Sequence, residues 1–199
     1  MYKVGVTGGI GSGKSVVCRM LEERGAQVYN SDQRAKELMA TDQTIRQRLT
    51  ERFGAEVFAA GELNRAYLAE RVFADEQELA ALNAIVHPCV LSDFEQWADK
   101  QQSEYVVIES AILFEAGIDK IVDVVVAVMA PEDLRIERTI ERDGLSREQV
   151  EERMRNQLSD DERCTRSKYA VVNIDLDELE EDVEQLHRRL SYDARQQKS

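Results

Sequence analysis

Eight residues near the N-terminus, Gly8-Gly9-Ile10-Gly11-Ser12-Gly13-Lys14-Ser15, have the types and spacing of a phosphate-binding loop. The pattern is a glycine, four residues, then Gly-Lys-Ser. Glycines let backbone come close to an anion, and loop N–H groups converge on it with the positive end of the following helix. In such a loop Lys14 reaches the β- and γ-phosphates and the Ser15 hydroxyl ligates Mg²⁺. The flanks agree with this reading. Residues 2–6 are apolar and β-compatible, and 16–24 place Val17, Met20 and Leu21 on one helical face before Gly25, a C-terminal glycine. Strand, loop and helix in register predict binding of a nucleoside triphosphate, rather than a glycine-rich turn that binds nothing.

Carboxylates and arginines at the ends of predicted elements complete a phosphoryl-transfer set. Asp32 follows a short strand expected over 26–29, at the sheet edge that carries the loop. A carboxylate there accepts a proton from an attacking hydroxyl. An aspartate ahead of a helix is also a common N-cap, and residue type leaves the two readings level. Glu109 ends another strand at the same edge, placed either to hold Mg²⁺ through water or to cap the residues from Ser110. On the donor side, Arg138 and Arg142 are four apart and share a helical face, and Arg153 comes from a returning helix. Two such helices, joined at Asp143-Gly144, would form a lid whose guanidinium forks suit phosphate and whose closure excludes water. The plainer alternative is a charged surface on which Glu137, Glu141 and Glu152 pair with these arginines.

Holding these residues together takes an α/β core. Strands are expected over 2–6, 26–29, 105–108, 122–129 and 169–174, the fourth almost continuously apolar, as a strand buried on both faces is. Five helices are expected between the second and third strands, at 32–39, 44–53, 64–73, 76–86 and 88–100. Their breaks fall at Gly54, Gly61 and the His87-Pro88 step. That is too much chain for one crossover and reads as an inserted helical subdomain, 32–102. Helices over 132–142 and from a Ser146/Gln149 capping box to about 158 make the lid, 132–158. A last helix spans 177–190, and the tail 196–199 is expected to fray. The nucleotide-binding core is then 1–31 with 103–195, all within one kinase-like domain of 1–199. The fold class is α/β, three-layered, with a five-stranded parallel sheet and ligands at the C-terminal strand edge.

Composition narrows the partners. Among 199 residues, 39 acidic against 26 basic side chains give a net charge of −13, which argues against a nucleic-acid binder. The hydrophobic content of 43% supports a sizeable core without staples. Cys18, Cys89 and Cys164 form no metal or disulfide pattern, and two histidines make a zinc site unexpected. No signal peptide is apparent, and the most apolar run, 124–130, is too short to span a bilayer. A soluble cytoplasmic protein, monomeric or weakly self-associating, is expected. A regulatory GTPase would carry Asn-Lys-x-Asp and Asp-x-x-Gly motifs, and neither occurs. A small-molecule kinase remains, with ATP as donor and Mg²⁺ as its metal. A nucleotide or nucleoside kinase of adenylate-kinase type, or a non-catalytic ATP-binding regulator, are the rival readings.

The order of motifs resembles the dephospho-CoA kinase family from Val4 to about Asn173. The opening loop, Thr7-Gly8-Gly9-Ile10 included, is similar to that family's, and Asn30-Ser31-Asp32 matches its Asp-Ala-Asp at the last aspartate, the family's base. Leu63-Asn64-Arg65, Leu68-Ala69, Val72-Phe73, Leu82-Asn83, His87-Pro88 and Leu113-Phe114-Glu115 follow its acceptor-side stretches. Arg138, Arg142, Arg153 and Gln157 resemble its lid pattern. The resemblance implies phosphorylation of the ribose 3′-hydroxyl of dephospho-CoA by ATP. In that reading Asp32, Lys14, Arg138 and Arg142 are catalytic. Gly9, Gly11, Ser12, Gly13, Lys14, Ser15, Val16 and Arg142 bind ATP, while Asp32, Arg65, His87, Leu113, Phe114 and Glu115 bind the acceptor. Phe94 and Trp97 are expected to pack the insertion, and Cys18 to be a buried small hydrophobe. Three positions depart from the pattern: Val16 for threonine, Ala111 for proline, and Asp175 for the glycine of Asn-x-Gly.

Overall fold

The structure is a computed structural model and describes residues 1–197. In chain order it contains β1 (Tyr2–Thr7), α1 (Lys14–Glu23), β2 (Gln27–Asn30), α2 (Ser31–Thr41) and α3 (Gln43–Phe53). There follow β3 (Phe58–Ala59), β4 (Glu62–Leu63), α4 (Arg65–Ala74), α5 (Glu76–Ala98), β5 (Tyr105–Glu109) and β6 (Val124–Met129). Last come α6 (Glu132–Asp143), α7 (Arg147–Arg155), α8 (Asp160–Arg166), β7 (Tyr169–Val172) and α9 (Leu176–Gln197). The chain divides into two compact units, Met1–Tyr29 with Ala98–Ser199, and Asn30–Trp97.

The first unit is built on a five-stranded sheet of order β2-β5-β1-β6-β7. Strand β1 pairs in parallel with β5 and β6, and β6 in parallel with β7. Because β1 lies between strands reached in opposite directions, its C-terminal end is a switch point, where open α/β sheets bind ligands. Side chains alternate across the sheet with period two. Val4, Val6, Val107, Val124, Val126 and Val128 share a core with Val17, Cys18 and Leu21 of α1 and Leu179, Val183, Leu186 and Leu190 of α9. On the other face a Cβ at Gly5 would come within 2.7 Å of Leu113 Cδ1, so Leu113 packs directly on β1.

Several elements differ from expectation. Helix α9 runs beyond 190 through Gln197, including Gln196 of the tail expected to fray; Lys198 and Ser199 lie outside the described residues. Its last turns are tied down: Asp193 Oδ2 accepts from Lys168 Nζ (2.7 Å) and Tyr169 OH (2.9 Å), and Arg195 pairs with Glu104 at 2.7 Å. The lid helix expected to reach 158 stops at Arg155, and a separate helix α8 follows. A second capping box, Ser159 with Glu162, starts it.

The second unit has its own core of Ile45, Leu49, Phe53, Val57 and Leu68. It is not wholly helical. Strands β3 and β4 form a hairpin whose two central residues, Ala60 (φ 49°) and Gly61 (φ 85°), both take positive φ, as tight hairpin turns require. Arg46 secures it, with its guanidinium 4.0 Å from the Phe58 ring centre and donating to Gly61 O at 2.7 Å. The break expected at His87-Pro88 is also absent, because α5 continues through Pro88. Pro88 removes only the bond to the Ala84 carbonyl, and both residues are on the exposed side, which leaves that acceptor open to solvent. Val86, Val90 and Phe94, at i, i+4 and i+8, are buried and hold both halves on one stripe. Phe94 stacks with Trp97 at a centroid distance of 6.1 Å, inside this unit.

Candidate active site

The glycine-rich loop leaves β1 after Thr7 and enters α1 at Lys14. Gly13, the N-cap, lies at φ 89°, where an L side chain is strained, and a Cβ there would also collide with Asn173 Nδ2. Helix α1 begins with no side-chain cap and no acidic residue in its first turn. Its first N–H groups and positive end are thus left to an external anion. Thr7 Oγ1 and Ser12 Oγ are buried without hydrogen-bond partners. An uncapped helix start, orphaned hydroxyls and a cradle of bare backbone fit a polyphosphate. Lys14 Nζ lies over the loop, donating to Gly8 O at 3.0 Å and Gly9 O at 3.5 Å. Ser15 is exposed on the first turn of α1. Val16 is partly buried against the core cluster of the first unit.

The outside of the loop is held by side chains from distant elements. Ile10 N–H donates to Gln157 Oε1 and Ile10 O accepts from Arg135 Nε, both at 2.9 Å. Asn173 Nδ2 donates to Ser12 O at 2.9 Å. Arg138 Nη1 in turn donates to Asn173 O at 3.0 Å, so this arginine supports the residues that follow β7. Asn173 and the loop meet although Asp175 stands in place of the family's glycine. Arg135 is absent from the sequence-based expectations and Asn173 enters them only as the start of the Asn-x-Gly stretch, since nothing in their neighbours signals contact with residues near position 10.

Arg142 and Arg153 come together, but on a carboxylate at the end of α6, Asp143. Asp143 accepts two bonds from Arg142, at 2.7 and 2.9 Å, and lies 3.9 Å from Arg153. The pair lowers the Asp143 carboxyl below its ordinary value, chiefly through the hydrogen bond from Arg142. Arg138 is not in this cluster but at Asn173. None of Glu137, Glu141 and Glu152 pairs with the three arginines among the described residues; Asp143 takes Arg142 and Arg153 instead, and Arg138 bonds Asn173 O.

Glu109 ends β5 in register with Val6. Burial, with the charge of Glu109 adding to it and that of Lys14 opposing, pushes the Cys18 thiol well up, so Cys18 is an apolar packing group. After β5, Leu113 is buried, Phe114 is nearly so with the Arg166 guanidinium 4.0 Å from its ring centre, and Glu115 is exposed.

In the second unit Asp32 is in the first turn of α2, and it is not the cap. Asn30 is: its side chain accepts from Gln33 N at 2.9 Å. Asp32 is exposed, with no side-chain hydrogen bond or ion pair among the described residues. Its carboxylate is therefore open to solvent and to ligand. Arg65 is likewise exposed at the start of α4. His87 is half-buried in α5, and burial lowers its pKa below the ordinary histidine value.

Residues 2–178 match the family described as dephospho-CoA kinase. The dephospho-CoA kinase of Bacteroides fragilis (strain YCH46) is 45% identical over 172 residues, covering 86% of this chain and 84% of that protein. The crystal structure of TT1252 from Thermus thermophilus superimposes with a TM-score of 0.83 at 32% identity, covering 96% of this chain and 97% of that one. The dephospho-CoA kinase from Campylobacter jejuni, 19% identical, shares the fold with a TM-score of 0.69 and the same coverage of both chains.

Proposed function

The chain belongs to the dephospho-CoA kinase family, and from that premise we propose how its residues divide the transfer of the γ-phosphoryl group of ATP to the ribose 3′-hydroxyl of dephospho-CoA. Such a transfer is governed by positioning and charge neutralisation. The observation that carries the reading is the donor loop: bare backbone, an uncapped helix start and Lys14 overhead, all fixed from outside by Gln157, Arg135 and Asn173. Gly9, Gly11, Ser12 and Gly13 receive the triphosphate on their backbone, with Val16 beside them and Lys14 neutralising the β- and γ-oxygens. Ser15, with Glu109 through water, would hold Mg²⁺, which when bound supplies charge neutralisation across those oxygens.

Asp32 accepts the proton of the attacking hydroxyl. Its freedom from the capping role, taken by Asn30, supports that assignment. To acceptor binding we assign Asp32, Arg65 and His87 of the insertion, 32–102, and Leu113, Phe114 and Glu115 of the core, 1–31 with 103–195. On lid closure over 132–158 a phosphate oxygen takes the place of Asp143 between Arg142 and Arg153, with Arg138 alongside, and water is excluded. No helix among the described residues is long and apolar enough to cross a membrane. We take the protein to be a cytoplasmic monomer or weak homo-oligomer.

Mass analysis of products from ATP, Mg²⁺ and dephospho-CoA tests the reaction. Coenzyme A and ADP in equal amounts are expected. Turnover with nucleosides or nucleotides but not with dephospho-CoA would overturn it, as would tight ATP binding without acceptor-dependent turnover.

A further inference from the structure

Ile10 sits midway along the donor loop, and both polar groups of its backbone are taken by side chains from elsewhere in the first unit. Its N–H goes to Gln157, 147 residues away, and its carbonyl to Arg135, 125 residues away. Gln157 lies in the turn between α7 and α8, and Arg135 on α6, so two parts of the lid stretch grip one residue.

The grip is itself braced. Arg135 is only 5% exposed, and its guanidinium fills the space that a Cβ on Gly9 would need. It is ion-paired to Asp160, which also meets Arg163 Nη1 at 3.2 Å. Arg163 is 1% exposed, with Nε and Nη2 buried and unpartnered. Burial pulls its guanidinium below the ordinary value, with the charges of Asp160 and Glu115 opposing. Burying two cations on one carboxylate is a poor way to gain stability, because the desolvation cost rivals the attraction. What the arrangement does supply is a fixed position for Arg135.

A fixed Arg135 matters because a glycine-rich loop has few side chains of its own to order it. Left alone, such a loop would lose conformational entropy each time a nucleotide bound. Held at Ile10, its N–H groups are aimed before the nucleotide arrives. The same bonds connect the loop to the segment that must move when the lid closes.

We propose that Arg135 and Gln157 are positioning residues of the donor site: they hold Ile10 in the shape that receives the triphosphate, Asp160 and Arg163 lock Arg135, and the loop is thereby tied to the lid. This rests on ATP being the donor, as assigned above.

The test uses the full chain with Gln157→Met, which keeps length and loses the acceptor. Asp160→Asn is the second variant, loosening Arg135 without touching the loop. Titration with a non-hydrolysable ATP analogue, without acceptor, should weaken by about threefold to tenfold for Gln157→Met, the equivalent of one lost hydrogen bond. The KM for ATP should rise in parallel, while the KM for dephospho-CoA and the melting temperature hold. Asp160→Asn should give the same selective loss at the donor side, whatever its effect on melting. Unchanged analogue binding in Gln157→Met would overturn the proposal, as would a drop in melting temperature with both KM values rising together. If the parent fails to turn over dephospho-CoA, the acceptor assignment falls, and the analogue titration still decides the role of Gln157.

Discussion

At Ile10 and Ser12 the donor loop is held by side chains lying 125 to 161 residues further along the chain, whereas in the second unit Asn30, Asp42 and Asn64 each accept from a backbone N–H three residues on. The loop borrows its order from the whole of the first unit. The insertion writes its helix starts locally and closes them over its own core, so its candidate side chains are left unengaged. Asp32 and Arg65 make no side-chain bond among the described residues. Lys14, by contrast, is already bonded across the loop. In the proposed division, one half of the chemistry is therefore set by backbone shape, and the other by a few exposed groups that a substrate must find.

The sharpest way to break this contrast is Asp32→Asn. With the cap on Asn30, the change should lower kcat by about 10²–10⁴, the range for loss of a general base, and leave the melting temperature and ATP binding alone. The converse variant, Asn30→Ala, should cost about 1 kcal/mol of stability, read as a lower melting temperature. A stability loss in Asp32→Asn with kcat intact would return Asp32 to a structural role. Next in size is Lys14→Ala, expected to cost about 10²–10³ in kcat, as for other preorganised electrostatic donors. Its fold should be retained, since Gln157, Arg135 and Asn173 still brace the loop when the Lys14 bonds to Gly8 O and Gly9 O are lost. Near-normal turnover would remove Lys14 from the donor site.

Arg142→Lys sharpens the comparison at the lid. The side chain is 62% exposed and faces Asp143. If it serves phosphate after closure, losing the planar fork should lower kcat by about tenfold or more, the scale of a charged hydrogen bond. If it serves only Asp143, the change is worth roughly 0–1 kcal/mol and kinetics match the parent. The smallest effect is at His87. Burial lowers its folded pKa below 6.5, so the neutral form is favoured on folding. Its contribution is fully present above the unfolded value and is lost as pH falls through the folded one. Thermal melts should show the parent losing stability as pH drops below about 6.5, and His87→Gln should flatten that loss. A parallel pH profile in the two proteins would exclude the effect.

What could be read in advance followed the range of the interactions. The glycine-rich loop, the apolar runs that become strands and the Ser146/Gln149 capping box are each written in residues a few positions apart, and all three were legible. The start of α8 was equally legible in Ser159 and Glu162, a capping box that the expected helix to 158 overran. The hairpin was hidden because its strands are two residues long and its turn uses Ala60 at positive φ, without an Asn-Gly signal. Pro88 read as a break because local sterics outweigh everything visible in sequence. The buried stripe of Val86, Val90 and Phe94 outweighs it in the fold. Residue type left Asp32 level between cap and base, the family resemblance favoured the base, and the structure gives the cap to Asn30, two residues earlier. Arg135 and Asn173 were beyond reach, since their partners lie more than a hundred residues away.

Two guanidiniums, Arg135 and Arg163, share the Asp160 carboxylate in the interior beside the donor loop, and the charge of Glu115 also acts on Arg163. The chain as a whole carries −13 and at a distance repels a nucleotide. The two fields respond differently to dissolved ions. Repulsion from scattered surface carboxylates fades within a Debye length, about 8 Å at physiological ionic strength, whereas buried charge is screened much less. Added salt therefore weakens the long-range repulsion, while the contacts a polyanion makes once seated on the loop are shorter than that length, so this acidic protein should gather a polyanion faster at physiological ionic strength than in pure water.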